Sequence, residues 1–142
     1  MRELAALALL VPLAAAAQAG GKGAVDSPRH AYVKRHGVAP KYAHARNPLQ
    51  PSAPDIEAGR KLYLLHCQIC HGESGRGSEA GRRLDPPTTS LVGHSQRRIA
   101  SDAFYDWTIA EGGVPVRSSM PPFKNVLKQE DIWKIVLYLR TL

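Results

Sequence analysis

Residues 67–71 read Cys67-Gln68-Ile69-Cys70-His71, two cysteines separated by two residues with a histidine directly after the second. That spacing is the signature of covalent haem attachment. Each thiol can add to one vinyl group of the porphyrin, and the spacer sets the sulfurs about one helical turn apart. His71 is then held under the ring, where an imidazole nitrogen can bind iron from the proximal side. A thioredoxin-like dithiol would not need the histidine and would sit near a βαβ pattern, which this chain lacks. A zinc site ordinarily draws four ligands from Cys and His, and the chain has no third cysteine. The motif therefore implies one covalent haem c, with Cys67 and Cys70 as thioether positions and His71 as an axial iron ligand.

The chain has 142 residues, 12 of them Gly and 11 Pro, enough for one compact domain and not for two. Residues 1–19 have the pattern of a secretory signal. Arg2 supplies a positive charge, Leu4 to Ala17 is an apolar run, and Ala17-Gln18-Ala19 offers small residues at both cleavage-critical positions. The run is short for a bilayer span and contains Pro12, so cleavage near Ala19 and a periplasmic mature protein are expected. Two cysteines in an exported protein would ordinarily suggest a disulfide. His71 assigns both to thioethers instead, leaving haem as the staple of a small domain. The net charge is +7, which favours acidic partners such as another protein's surface or an anionic membrane. No nucleic-acid-binding motif is visible.

Residues 20–51 form a basic leader, rich in Gly, Pro, Lys, Arg and His and poor in periodic hydrophobicity. Composition alone describes a partly extended arm. Tyr32, Val33, Val38 and Tyr42 are scattered apolar residues by which it could instead wrap the domain. The domain itself occupies 52–142. Ser52 as N-cap, Pro54 in the first turn and Asp55 as capping partner mark a helix start. Ile56, Leu62, Tyr63 and Leu65 carry that helix into the haem motif. Gly59 lies within it, a cost of about 0.5–1 kcal/mol that close approach of another helix would explain. After His71, a run from Gly72 to Gly81 permits tight turns. It lacks the Gly-Lys-Ser/Thr ending and the preceding strand of a phosphate loop. Ser101 or Asp102 opens a second helix that stops at Gly112-Gly113. A last helix spans about Lys128 to Thr141, with Ile132, Ile135, Val136 and Leu139 as its buried stripe. No stretch alternates as a strand does, so the fold class is all-α.

Haem iron has a second axial position, and Met120 is the only methionine besides Met1. It lies in Ser118-Ser119-Met120-Pro121-Pro122-Phe123, away from any apolar stripe. A thioether paired with histidine favours reduced iron, and the prolines stiffen the loop that would present it. The rivals are histidines. His66 abuts Cys67 and is sterically awkward, His94 follows Gly93 and could serve, and His30, His36 and His44 belong to the leader, where a solvated ring is the default.

With these residues assembled, the chain resembles a class I, monohaem cytochrome c of the bacterial periplasmic kind, over about residues 52–142. The resemblance implies that the N- and C-terminal helices cross around the haem. Gly59 and Tyr63, eight and four residues before Cys67, match the family's glycine and aromatic at that crossing, and Ile135 and Tyr138 match the aliphatic and aromatic opposite. It also implies that a proline carbonyl, of Pro86 or Pro87, accepts the proximal histidine's second N–H, and that Trp107 lies beside a haem propionate. Tyr63, Pro86, Pro87 and Trp107 thus join the two cysteines as cofactor-binding residues.

The function so implied is one-electron transfer between periplasmic or membrane redox partners, not catalysis, with the chain free or a subunit of a larger oxidoreductase, including a membrane-associated complex. Arg76, Arg82, Arg83 and Lys124 would steer an acidic docking surface. The competing readings are a haem-based ligand sensor and a peroxidase-like enzyme. Both need a labile sixth ligand, and the enzyme needs a nearby acid–base group, for which His94 is the best candidate.

Overall fold

The computed structural model describes residues 27–142. The expected signal over 1–19 and the first residues of the leader lie outside the described residues. Six helices follow in order: α1 (Pro28–His36), α2 (Ala53–His66), α3 (Gln68–His71), α4 (Glu79–Arg82), α5 (Asp102–Glu111) and α6 (Gln129–Leu139). Short 3₁₀ turns lie at Pro40–Tyr42, His94–Gln96 and Val114–Val116, and no strand occurs among the described residues. The fold is all-α, as the sequence predicts. No helix among these residues is long and apolar enough to cross a membrane.

The long helices begin where side chains can satisfy their free N–H groups. Ser52 Oγ accepts from the Asp55 N–H at 3.2 Å. The Asp55 carboxylate accepts from the Ser52 hydroxyl at 2.7 Å, in place of the Ser52 backbone N–H that a reciprocal capping box would use. Ser101 Oγ accepts from the Phe104 N–H at 3.1 Å to start α5. At α6 the Asp131 carboxylate reaches back to the Lys128 N–H at 3.3 Å.

Helices α2 and α6 cross and hold the domain together. The stripe Ile132, Ile135, Val136 and Leu139 is buried, Val136 completely. Burial of each such side chain stabilises by about 1.5–3 kcal/mol. Tyr63 is also fully buried and its ring lies 5.2 Å from that of Tyr138. Gly59 is where the two backbones come closest: a Cβ there would collide with the Lys134 carbonyl.

The leader differs most from a reading based on composition. Residues 28–36 are helical, opened by Ser27 and Pro28 and closed by Gly37 at φ 75°. The helix buries Arg29 and His30 rather than an apolar stripe, which is why hydrophobic periodicity does not reveal it. Tyr32 stacks on Trp107 of α5 with centroids 5.7 Å apart. Beyond α1, the Tyr42 hydroxyl donates to Glu111 Oε1 at 2.6 Å. The Asn47 N–H donates to Asp102 Oδ2, and its side-chain amide to the Trp133 carbonyl, each at 3.0 Å. The segment from 27 to 51 therefore lies along α5 and α6.

Candidate haem site

The haem motif forms one turn at the end of α2. Cys67 closes α2 by donating its N–H to the Tyr63 carbonyl at 2.8 Å, and the His71 N–H returns to the Cys67 carbonyl at 2.9 Å. The glycine-rich segment then folds back over this turn. Gly77 donates to the His71 carbonyl at 2.7 Å and Ser78 to the Cys70 carbonyl at 3.0 Å. Gly81 packs so tightly on the Cys70 carbonyl that a Cβ would not fit. From behind, the Tyr63 hydroxyl donates to the Gly72 carbonyl at 2.6 Å. The small residues after His71 thus fasten the CxxCH turn in place.

Met120 is held by a different device. Gly113 donates to the Met120 carbonyl at 2.7 Å, and Ser118 to the Gly113 carbonyl at 3.1 Å. Neither Gly112 nor Gly113 has room for a Cβ, since the Pro121 and Ser118 backbones press against them. The glycine pair that ends α5 is therefore also the seat of the methionine loop.

Cys67, Cys70, His71 and Met120 line one predominantly apolar cavity, and Pro86 and Pro87 line it with them. Both thiols are free. Burial, with the neighbouring Cys70, pushes the Cys67 thiol up to about 12. Burial holds the His71 pKa down to about 4; the Thr89 backbone opposes this and the Arg29 charge adds to it. The imidazole is thus neutral at pH 7, the form that can give a lone pair to a metal. His71 Nδ1 is buried with no hydrogen-bond partner. A buried unpartnered imidazole nitrogen, two free thiols and a thioether around one apolar space fit a covalently attached haem.

Other expected site residues are placed differently. The hydrogen bond from His71 to a Pro86 or Pro87 carbonyl is not made; the Thr89 backbone is the group that acts on the ring. Tyr63 and Trp107 do not line the cavity. Tyr63 braces the attachment turn from the α2–α6 side. Trp107 lies behind the wall, under the guanidinium of Arg29 at 5.0 Å.

His94 lines the cavity, but both of its ring nitrogens are engaged. Nε2 meets His30 Nε2 at 2.8 Å and Nδ1 meets the Tyr105 hydroxyl at 3.0 Å. Arg97 Nη1, which can only donate, meets His30 Nδ1 at 2.9 Å. Hydrogen bonds thus link Arg97, His30, His94 and Tyr105 in one chain. Burial, then His30 and Arg97, lower the His94 pKa to about 4. His30 is therefore no solvated leader histidine; it is 4% exposed and belongs to this chain of bonds. His36 and His44 are exposed. Arg29 and Thr108 also line the cavity, and no local pattern in the sequence marks either for it.

A helical domain whose CxxCH turn and methionine loop share one apolar cavity has the make-up of a c-type cytochrome. Residues 54–139 match the family described as cytochrome C oxidase, cbb3-type, subunit III, and the chain belongs to that family, whose haem is covalently bound. Among solved structures, the KustC0563 c-type cytochrome is 30% identical with a TM-score of 0.50, covering 58% of this chain and 94% of that one. The reducing HAO-like protein complex Kustc0457/Kustc0458 of Kuenenia stuttgartiensis matches at 25% identity and a TM-score of 0.55, over 66% of this chain and 46% of that one. A thiosulfate dehydrogenase of Stutzerimonas stutzeri (strain A1501) is 27% identical over 108 residues, 72% of this chain. The chain spans about a third of that relative's length, 32%.

Proposed function

We propose that the chain is a periplasmic one-electron carrier domain with a single haem c, tethered through Cys67 and Cys70 and ligated by His71 and Met120. The observation that carries this reading is the meeting of those four side chains at one cavity. Bound haem supplies an Fe(III)/Fe(II) couple with no bond made or broken in a substrate. His71 contributes a neutral imidazole, and Met120 a soft ligand that favours the reduced state. The apolar walls limit the water that would otherwise reorganise around a changing charge. His94, with both nitrogens bonded, is poorly placed to displace Met120 or to serve as a distal acid–base group, which weighs against the sensor and peroxidase-like readings.

The test is a visible spectrum of the oxidised and reduced protein beside Met120→Ala. The wild type is expected to show low-spin iron with a sulfur-to-iron charge-transfer band, and the variant to lose that band. Its potential should fall by on the order of 0.1–0.2 V, part of the ~0.8 V range that axial ligands command. High-spin wild-type iron, or an unchanged variant spectrum, would remove Met120 from the site and return the sensor and peroxidase-like readings to the front.

The relatives favour work within a larger oxidoreductase: one is a thiosulfate dehydrogenase and another a chain of an HAO-like complex. Leu65 and Ile69 are 74% and 70% exposed on and beside the attachment turn, suited to a small, transient contact with a redox partner. Arg76 and Arg82 are exposed near that turn in sequence. Arg83 and Lys124 are paired with Glu79 and Glu111, which blunts their charge. With a net charge of +7, electron transfer to an acidic partner should slow about tenfold or more between low salt and ~1 M. A flat salt dependence in stopped-flow mixing would dispose of electrostatic steering.

A further inference from the structure

Among the described residues, three buried side-chain polar atoms have no hydrogen-bond partner: Arg29 Nη1, His71 Nδ1 and Thr108 Oγ1. All three residues line the haem cavity. His71 is explained by iron. Arg29 and Thr108 are not.

Arg29 is only 9% exposed. Its Nη2 donates to the Gly112 carbonyl at 2.6 Å, and its guanidinium lies over the Trp107 ring. Neither contact supplies negative charge. Arg29 makes no ion pair with a carboxylate among the described residues, and burial lowers its pKa to about 10. A buried cation without an anionic partner is strongly disfavoured, and a buried N–H left unpaired adds to the cost. An anion with acceptor oxygens in the cavity would supply that partner.

We infer that Arg29, brought in by the leader helix α1, binds a carboxylate of the haem, with the Thr108 hydroxyl as a second donor to the same group. This rests on the cavity being the haem site. A guanidinium suits the role because its planar fork matches the spacing of carboxylate oxygens and stays charged when buried. The Gly112 carbonyl and the Trp107 ring fix the fork's orientation, which makes Trp107 a positioning residue behind Arg29 rather than a direct contact of the cofactor. The segment preceding the minimal domain thereby becomes part of the cofactor site.

A cation bound to a haem carboxylate has two readable effects. It keeps that carboxylate ionised, and it favours reduced over oxidised iron. The test is a redox titration of the haem-loaded full chain from pH 5 to 8, comparing wild type, Arg29→Lys and Arg29→Gln. The wild type and the lysine variant are expected to hold a nearly constant midpoint potential. The glutamine variant should have a lower potential at pH 8 that rises as pH falls, as the released carboxylate takes up a proton. A glutamine variant that keeps the wild-type potential and pH profile, even with reduced thermal stability, would overturn the inference and leave Arg29 a structural residue. Should Arg29→Gln not accumulate, infrared difference spectra of the wild type over the same range decide. With the haem carboxylates isotopically labelled, one that stays ionised throughout is expected, and labelled carboxylic-acid bands from both would overturn the assignment. Failure of the underlying haem reading is separately visible, because the wild type would then carry no haem spectrum at all.

Discussion

Replacing both Cys67 and Cys70 by serine is expected to yield a chain whose mass is that of the bare polypeptide and which shows no haem band on a denaturing gel. Serine hydroxyls do not add to vinyl groups under the conditions that thiols do, so neither tether can form. The thiols already lie in the wall of the cavity, on a turn fastened by Gly77, Ser78 and Tyr63, so the loss is one of chemistry rather than of position. The structural consequence is also large. Haem that binds only the folded form stabilises it by mass action, and a covalent tether makes that contribution independent of free haem concentration. Without it the chain must keep an apolar cavity with three unpartnered polar atoms in its walls. The double variant should therefore unfold at markedly lower denaturant and with weaker cooperativity than the loaded protein. The single Cys67→Ser variant should keep covalent haem through Cys70, with its reduced absorption band shifted to longer wavelength because one vinyl group stays conjugated. Covalent haem in the double variant would place the attachment elsewhere.

Gly59→Val should be the most damaging substitution outside the cofactor site. The added side chain meets the Lys134 carbonyl, and that group cannot retreat alone, because the neighbouring Ile135 and Val136 are 1% and 0% exposed. Overpacking in a core costs about 1–3 kcal/mol and occasionally more. Backbone pressed on backbone belongs at or above the top of that range, a large share of the ~5–15 kcal/mol that stabilises an ordinary domain. The measurement is the denaturant midpoint of the loaded protein, with Gly93→Ala as the control. Gly93 has φ 68° and open space around its Cβ position, so alanine there meets only the backbone penalty of a left-handed residue, about 1–2 kcal/mol. If the two variants lose the same stability, crowding at the crossing is not what Gly59 relieves.

The legible features of the chain share one property: they are local. The CxxCH spacing fits a single turn, and the structure forms that turn at Gln68–His71. Ser52, Ser101, and the stripe Ile132, Ile135, Val136 and Leu139 announce helices by chemistry within a few residues, and α2, α5 and α6 follow within two residues of the expected limits. Gly59 could be read as a close approach because a glycine inside a good helix needs a reason, and the α6 backbone supplies it.

What escaped the sequence depends on partners far along the chain. Helix α1 has no apolar stripe, so its pattern looks like a solvated arm until Trp107, Gly112 and His94 are set beside it. His30 and His94 are 64 positions apart and Arg29 and Gly112 are 83 apart. Gly112-Gly113 reads as a helix stop, yet only folding shows that the Met120 loop is seated on it. The sequence by itself determined a helical domain with a CxxCH turn and a methionine loop, because those are matters of local spacing and capping. Tertiary structure alone decided that the basic leader joins the cavity, that Trp107 stands behind Arg29, and that His94 is tied into a hydrogen-bond chain. A buried polar group is specified by the partner it finds, and that partner is fixed only when the chain closes on itself.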